Sequence, residues 1–311
     1  MHRPITSALL LPALLAATQP TEVRIPSTAD GALQPAIFLA PANPEEPVPL
    51  VVALHSWSGN YKQTLNKPAQ EFCARNGWAY IHPDFRGPNR NPAATGSELA
   101  VQDVLDAVAY AKANTPVDPA RVYLTGTSGG GYMSLLMAGR SPGTFAAVSA
   151  WVPISDLVAW HADSTARRNK YAREIAQSCG GKPGSSPEAD LQYHLRSPLS
   201  WLHLARSTPI DINAGIRDGH TGSVPTSHSL RAFNVLARPQ DRITEAEIDH
   251  FLKKAKVPPN LPPAPLDKSF NNRQPLFRHS SGNARITIFN GGHEMVPSAL
   301  IQWLQDKTKV E

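Results

Sequence analysis

The sequence predicts an α/β fold: a mostly parallel central sheet with helices on both faces and inserted cap segments. Three observations lead there. Short apolar runs alternate with amphipathic stretches along most of the chain, the pattern of strands and crossover helices. The 311 residues, 41% hydrophobic and 18% charged, suffice to bury a sizeable core. The thirty prolines gather in connectors such as "APANPEEPVP" (40–49) and "KVPPNLPPAPLDK" (256–268), and no internal repeat is visible.

The first stretch, "MHRPITSALLLPALLAATQP", has a basic start at His2 and Arg3, an apolar run and then small residues, which reads as a secretory leader. It divides the chain into a signal at 1–18, cleaved near Ala17, and one folded domain at 19–311. The run is too short and too Pro-interrupted to span a bilayer. A secreted or periplasmic protein without lasting membrane insertion is expected.

Residues 48–57 form a buried strand running into a turn, 64–76 a helix stopped at Gly77, and 78–82 the next strand. Residues 98–115 carry apolar side chains at three- and four-residue spacing, an amphipathic helix feeding a strand that ends near Gly126. Residues 144–153, 209–219 and 284–294 supply further strands. The net charge of +5 is scattered and accompanies no recognition motif, so no nucleic-acid partner is expected. Neither of the two cysteines, Cys73 and Cys179, lies in a CxxC pair; metal and redox chemistry through them is not expected, and their pairing stays open.

The chemistry concentrates at "LTGTSGGGYM". A strand at 122–124, then Gly126-Thr127-Ser128-Gly129-Gly130, then a helix at 132–138 is the G-x-S-x-G elbow in its strand–turn–helix setting. Small neighbours tolerate the strained backbone that lifts a serine oxygen out of the sheet, which makes Ser128 the candidate nucleophile. A serine needs a base, and the base needs an orienting acid. Asp218, in a Gly-flanked turn after a strand, is the candidate acid; Asp211 competes from inside the strand. Among eleven histidines, His293 follows the last strand on a Gly291-Gly292 loop expected to let the ring swing to Ser128. Oxyanion donors are expected from the amides of Gly129 and, by position, Trp57 in "HSWSGN", where Ser56 replaces a glycine more common beside that histidine. His55, His220 and Trp160 are expected to contact substrate, with His220 alternatively bracing the acid loop.

These motifs, together with "DFRG" (84–87), "RDGHTGSVPTSHS" (217–229) and "NGGHE" (290–294), resemble the α/β-hydrolases of the prolyl-oligopeptidase-like and dienelactone-hydrolase-like group from about residue 45 onward. The resemblance implies a two-step serine hydrolase with no cofactor and no metal. For secreted bacterial members it implies cleavage of acetyl or feruloyl esters on polysaccharide or oligosaccharide, or peptidase activity. The peptidases of the group carry a large N-terminal propeller, and only a short segment separates the leader from the first core strand. The primary expectation is therefore a serine esterase on a small-molecule or oligosaccharide ester. A serine peptidase on short peptides, or a non-catalytic sugar-binding member, is the alternative. Two stretches, 156–206 and 239–282, exceed what the core requires and are expected to form caps. In the first, Trp160, His161, Tyr171, Tyr193 and Trp201 would either stack on a sugar or form the cap's own core.

Overall fold

The computed structural model describes residues 19–305 and 307. The leader expected at 1–18 lies outside the described residues. Nine strands form one sheet in the order β1-β2-β4-β3-β5-β6-β7-β9-β8. In chain order the elements are β1 (Thr21–Pro26), β2 (Leu33–Leu39), β3 (Val48–Leu54), α1 (Lys67–Asn76), β4 (Ala79–Pro83), α2 (Glu98–Asn114) and β5 (Val117–Thr127). Then come α3 (Gly129–Arg140), β6 (Ala147–Trp151), α4 (Leu157–Ala166), α5 (Tyr171–Cys179), α6 (Pro187–Arg196) and β7 (Ile210–Gly215). The chain closes with α7 (Ser227–Leu236), α8 (Glu245–Lys254), β8 (Pro275–Ser281), β9 (Ala284–Phe289) and α9 (Pro297–Gln305).

Strands β4, β3, β5, β6, β7 and β9 run parallel, while β1, β2 and β8 are antiparallel additions at the two edges. The parallel strands are apolar almost throughout because both faces are covered. On one face α2, α3, α7 and α8 bury Val104, Leu135, Phe233 and Phe251. On the other, α1 and α9 bury Cys73, Leu300 and Trp303 against Tyr80 and Tyr123. Gly77 ends α1 at φ 67°, the left-handed position that glycine takes without a Cβ clash. Both cysteines are free and buried. Burial raises the Cys73 thiol and pushes Cys179 up to about 12, so neither is a thiolate near neutral pH.

The structure differs from the sequence reading in two places. The hairpin β1–β2 and the edge strand β8 had no expected counterpart, and β8 falls inside the stretch 239–282 expected to form a cap. The rest of that stretch packs on the sheet's flank: Ile248 and Phe251 are fully buried, and the Phe251 ring sits 5.7 Å from Phe277 of β8. The segment 156–206, holding α4 to α6, is the part that reaches the site.

Candidate active site

Each parallel strand ends at the same rim, and the candidate residues follow those ends. β3 pairs Leu54 with Gly126 of β5, β5 pairs Thr127 with Trp151, and β7 pairs Gly215 with Phe289 of β9. Ser128 directly follows β5, Trp57 lies just beyond β3, Asp218 just beyond β7 and His293 just beyond β9.

Ser128 has φ 60° and ψ −117°, a backbone conformation that costs a non-glycine residue of order 1–3 kcal/mol. Its surroundings enforce it. Its N–H donates to the Trp151 carbonyl at 2.8 Å, and its own carbonyl accepts from Tyr132 N at 2.8 Å. The flanking glycines leave no room for side chains: a Cβ on Gly126 would lie 2.4 Å from the Gly130 backbone, and one on Gly130 would lie 2.3 Å from the Leu54 carbonyl oxygen. The elbow is therefore wedged between β3 and its own helix.

His293 Nδ1 donates to Asp218 Oδ2 at 2.7 Å. Oδ1 of Asp218 accepts from the N–H groups of Gly219, at 2.9 Å, and Val224, at 3.2 Å. With the carboxylate fully buried and both oxygens engaged, the imidazole is fixed in the tautomer that leaves Nε2 free to accept a proton. The loop 219–224 closes over the pair, and only glycine fits at 222, where a Cβ would lie 2.2 Å from Asp218 Oδ1 and 2.7 Å from His293 Cβ. Ser128 and His293 line one pocket of about 320 Å³.

The Gly291-Gly292 approach was expected to give the ring freedom to swing, and in the structure the backbone packs closely beside it. A Cβ on Gly215 would lie 2.1 Å from the Gly292 carbonyl oxygen, and one on Gly291 would lie 2.2 Å from the Phe289 ring. Gly215 and Gly291 allow this close packing. Glu294 braces the loop further, accepting from Gly292 N at 3.1 Å and pairing with Arg273 at 3.0 Å.

Trp57 and Gly129 stand together, since a Cβ on Gly129 would lie 2.2 Å from Trp57 N. The Trp57 N–H has no acceptor among the described residues, and Gly129, as the first residue of α3, has no intrahelical acceptor. Two free amides beside Ser128 are the arrangement an oxyanion requires. Gln63, which the sequence reading passed over, holds this loop: its Oε1 accepts from Ser56 N at 2.8 Å and its Nε2 donates to Ser56 Oγ at 2.7 Å. That hydroxyl is why serine serves where a glycine was expected.

Three of the expected substrate contacts are corrected. His55 is fully buried behind the rim, stacked on Phe85 at 3.9 Å, with its ring nitrogens 2.9 Å and 2.7 Å from the carbonyl oxygens of Ser56 and Asp84. Burial lowers its pKa, and its contacts with the two carbonyls brace the loop. His220 is exposed on the turn beyond Asp218 and does not line the pocket. Trp160 is fully buried, its Nε1 donating to the Ser223 carbonyl at 2.9 Å and its ring 4.7 Å from Trp57 and 4.8 Å from Tyr171. Of the five cap residues singled out, Tyr171 lines the pocket, and Trp160 supports it from behind. The competing acid, Asp211, is buried inside β7 and held by Arg285 Nε at 2.6 Å and Asn213 Nδ2 at 2.6 Å. It reaches no histidine.

The cap is clamped to the oxyanion loop by side chains that carried no sequence signal. Glu174 of α5 accepts from Trp57 Nε1 at 2.9 Å and pairs with Lys170 at 3.3 Å, while Lys170 donates to Ser58 Oγ at 2.8 Å. Thr127, Leu65 and Met295 complete the pocket wall with Trp57 and Tyr171.

Known proteins resemble this chain in varying measure. The chain is 26% identical over 203 residues to acylamino-acid-releasing enzyme 1 of Oryza sativa subsp. japonica, an alignment covering 59% of this chain and 24% of that protein. An acylaminoacyl peptidase solved with Z-Gly-Gly-Phe-chloromethyl ketone superposes with a TM-score of 0.62 at 17% identity, over 95% of this chain and 43% of that one. Prolyl oligopeptidase B from Galerina marginata gives 0.56 at 20% identity, over 71% of this chain and 31% of its own. The chain thus spans about a quarter of the curated relative and less than half of these solved ones, and the structural likeness carries the α/β-hydrolase fold. Residues 67–256, well over half of the sequence, match the prolyl oligopeptidase family, and the chain belongs to that family of serine hydrolases.

Proposed function

We propose that the protein is a serine peptidase that releases acyl-aminoacyl or short peptidyl groups from amide bonds. The observation that carries this is the Asp218–His293 pair at 2.7 Å opening onto the pocket that Ser128 lines. In the proposed cycle, His293 Nε2 takes the Ser128 proton as Oγ attacks the carbonyl, and Asp218 holds the imidazolium. The Gly129 and Trp57 amides receive the oxyanion, His293 returns the proton to the departing amine, and water then releases the acyl group. The pocket's wall of Trp57, Leu65, Tyr171 and Met295 suits an apolar side chain or acyl group next to the scissile carbonyl. The names of the relatives, acylaminoacyl and prolyl peptidases, favour amides over sugar esters. So does the burial of Trp160 and Tyr193, two aromatics that a sugar would otherwise stack on. The leader-like N-terminus supports action outside the cytoplasm.

The test is a comparison of kcat/KM for N-acetyl-alanine p-nitroanilide, an alanyl-proline anilide, p-nitrophenyl acetate and acetylated xylan. The proposal expects at least one anilide to be cleaved and fluorophosphonate to label Ser128. Release of acetate from xylan with neither anilide cleaved would overturn it.

A further inference from the structure

Outside the pocket at Ser128, a larger cavity of about 820 Å³ lies between α4 and α5 of the cap. Its lining combines three cations, Arg168, Arg173 and Lys182, with His161, Asn169 and Gln177, and no acidic residue lines it. None of the three cations has an ionic partner among the described residues. Of the acidic side chains of the two helices, Glu174 serves Trp57 and Lys170, and neither it nor Asp163 lines the cavity. Burial, then the Lys182 charge, lowers the His161 pKa. A further observation points to a ligand. Ser164, also in the lining, is 1% exposed, yet its Oγ has no hydrogen-bond partner. A buried hydroxyl left unpaired costs free energy unless something else supplies the partner. The floor along α5 is made by Ala172, Ala176 and Gly180, small residues that let an extended chain lie close to the helix.

We propose that this cavity is a second binding site, separate from the catalytic pocket, for an acidic peptide segment, with its carboxylates on Arg168, Arg173 and Lys182 and an acceptor at Ser164 Oγ. Peptide fits better than a compact anion because Arg168 precedes α5 and Lys182 follows it, so the nine-residue helix, about 13 Å long, lies between them in the chain, more than a single phosphate spans. The pocket at Ser128 borders it through consecutive residues, Tyr171 in one wall and Ala172 in the other, so the two sites share the first turn of α5.

The experiment uses the full chain with Ser128 blocked by fluorophosphonate, which removes binding at the catalytic pocket. Titration calorimetry is run with acetyl-Glu-Ala-Glu-Ala-Glu-amide and its Gln counterpart at low and high salt. The Glu peptide is expected to bind, and the Gln peptide and the triple variant Arg168→Ala/Arg173→Ala/Lys182→Ala each to bind about tenfold more weakly, as for partly exposed charges. Ser164→Ala is expected to weaken binding by about threefold, the loss of one neutral hydrogen bond. Ester turnover by the unblocked triple variant should match the parent, which also reports that it folds. Equal binding of the Gln peptide, undiminished binding by the triple variant, or loss of binding on fluorophosphonate treatment would each overturn the proposal.

Discussion

Compared side by side, the rim of the sheet and the cap reach the same pocket by different means. At the rim, Gly126, Gly130 and Gly215 let backbone segments touch, and Gly222 lets a turn lie against the Asp218 and His293 side chains, so that Ser128, Asp218 and His293 are placed mainly by main chain. In the cap, placement runs through long side chains: Glu174 to Trp57, Lys170 to Ser58, and Trp160 behind Tyr171. Backbone contact fixes atoms within tenths of an ångström because no rotamer intervenes, which suits proton transfer. Side-chain contact leaves a surface that can change without disturbing the fold, which suits substrate selection.

The comparison breaks if rim substitutions act mainly on stability or if cap substitutions abolish chemistry. The largest expected effect is that of Ser128→Ala, which should remove turnover by a factor on the order of 10⁶ in kcat while the melting temperature stays nearly the same, since alanine keeps the Cβ and with it the strain at φ 60°. Next comes the contrast between two aspartates. Asp218→Asn should lower kcat by a factor on the order of 10⁴ with modest change in unfolding midpoint. Asp211→Asn should leave kcat per folded molecule intact and cost about 3 kcal/mol in chemical denaturation, because it leaves Arg285 without its buried partner. The reverse pattern would move the acid to Asp211.

In the cap, Trp160→Ala should cost about 3–5 kcal/mol of stability through the cavity left behind a fully buried ring. A raised KM with unchanged stability would instead restore Trp160 as a substrate contact. The smallest effect concerns pH. Burial holds His82 at a pKa of about 3 against 6.5 for a free imidazole, and lowers that of His55 in the same direction. The unfolded chain takes up a proton below about pH 6.5 that the folded His82 ring refuses until about pH 3. Stability should therefore fall as pH drops through that window, at up to about 1.4 kcal/mol per pH unit for this ring. Guanidinium midpoints measured at intervals between pH 7 and 4 check this, and His82→Phe should flatten the slope.

Among the elements, those dictated by local pattern were legible: β3 to β7 with α1 to α3, the elbow, and the histidine loop. Helix α2 followed from its three- and four-residue spacing, and its N-cap Ser97 accepts from Ala100 N as that spacing requires. The edge strands β1, β2 and β8 were not legible. Their apolar content is low on the side facing solvent, and what keeps them is pairing to a neighbour already in place, a partner that no local window contains.

Within the site, Ser128, Asp218, His293, Trp57 and Gly129 stood out because each chemical role demands a residue type at a fixed place after a strand. His55, His220 and Trp160 could not be sorted in the same way. Whether an aromatic or a histidine faces substrate or stacks inside depends on which neighbour covers it, and Phe85 and Tyr171 settle that only after the chain closes. The sequence by itself determined the alternation of core strands and helices, the strained serine and the chemistry that a serine, a histidine and an aspartate can perform, since these rest on covalent type and short-range sterics. The tertiary structure alone decided how the strands are ordered in the sheet, which tryptophan is buried, and how closely the histidine loop packs, since those are contacts between segments far apart in the chain.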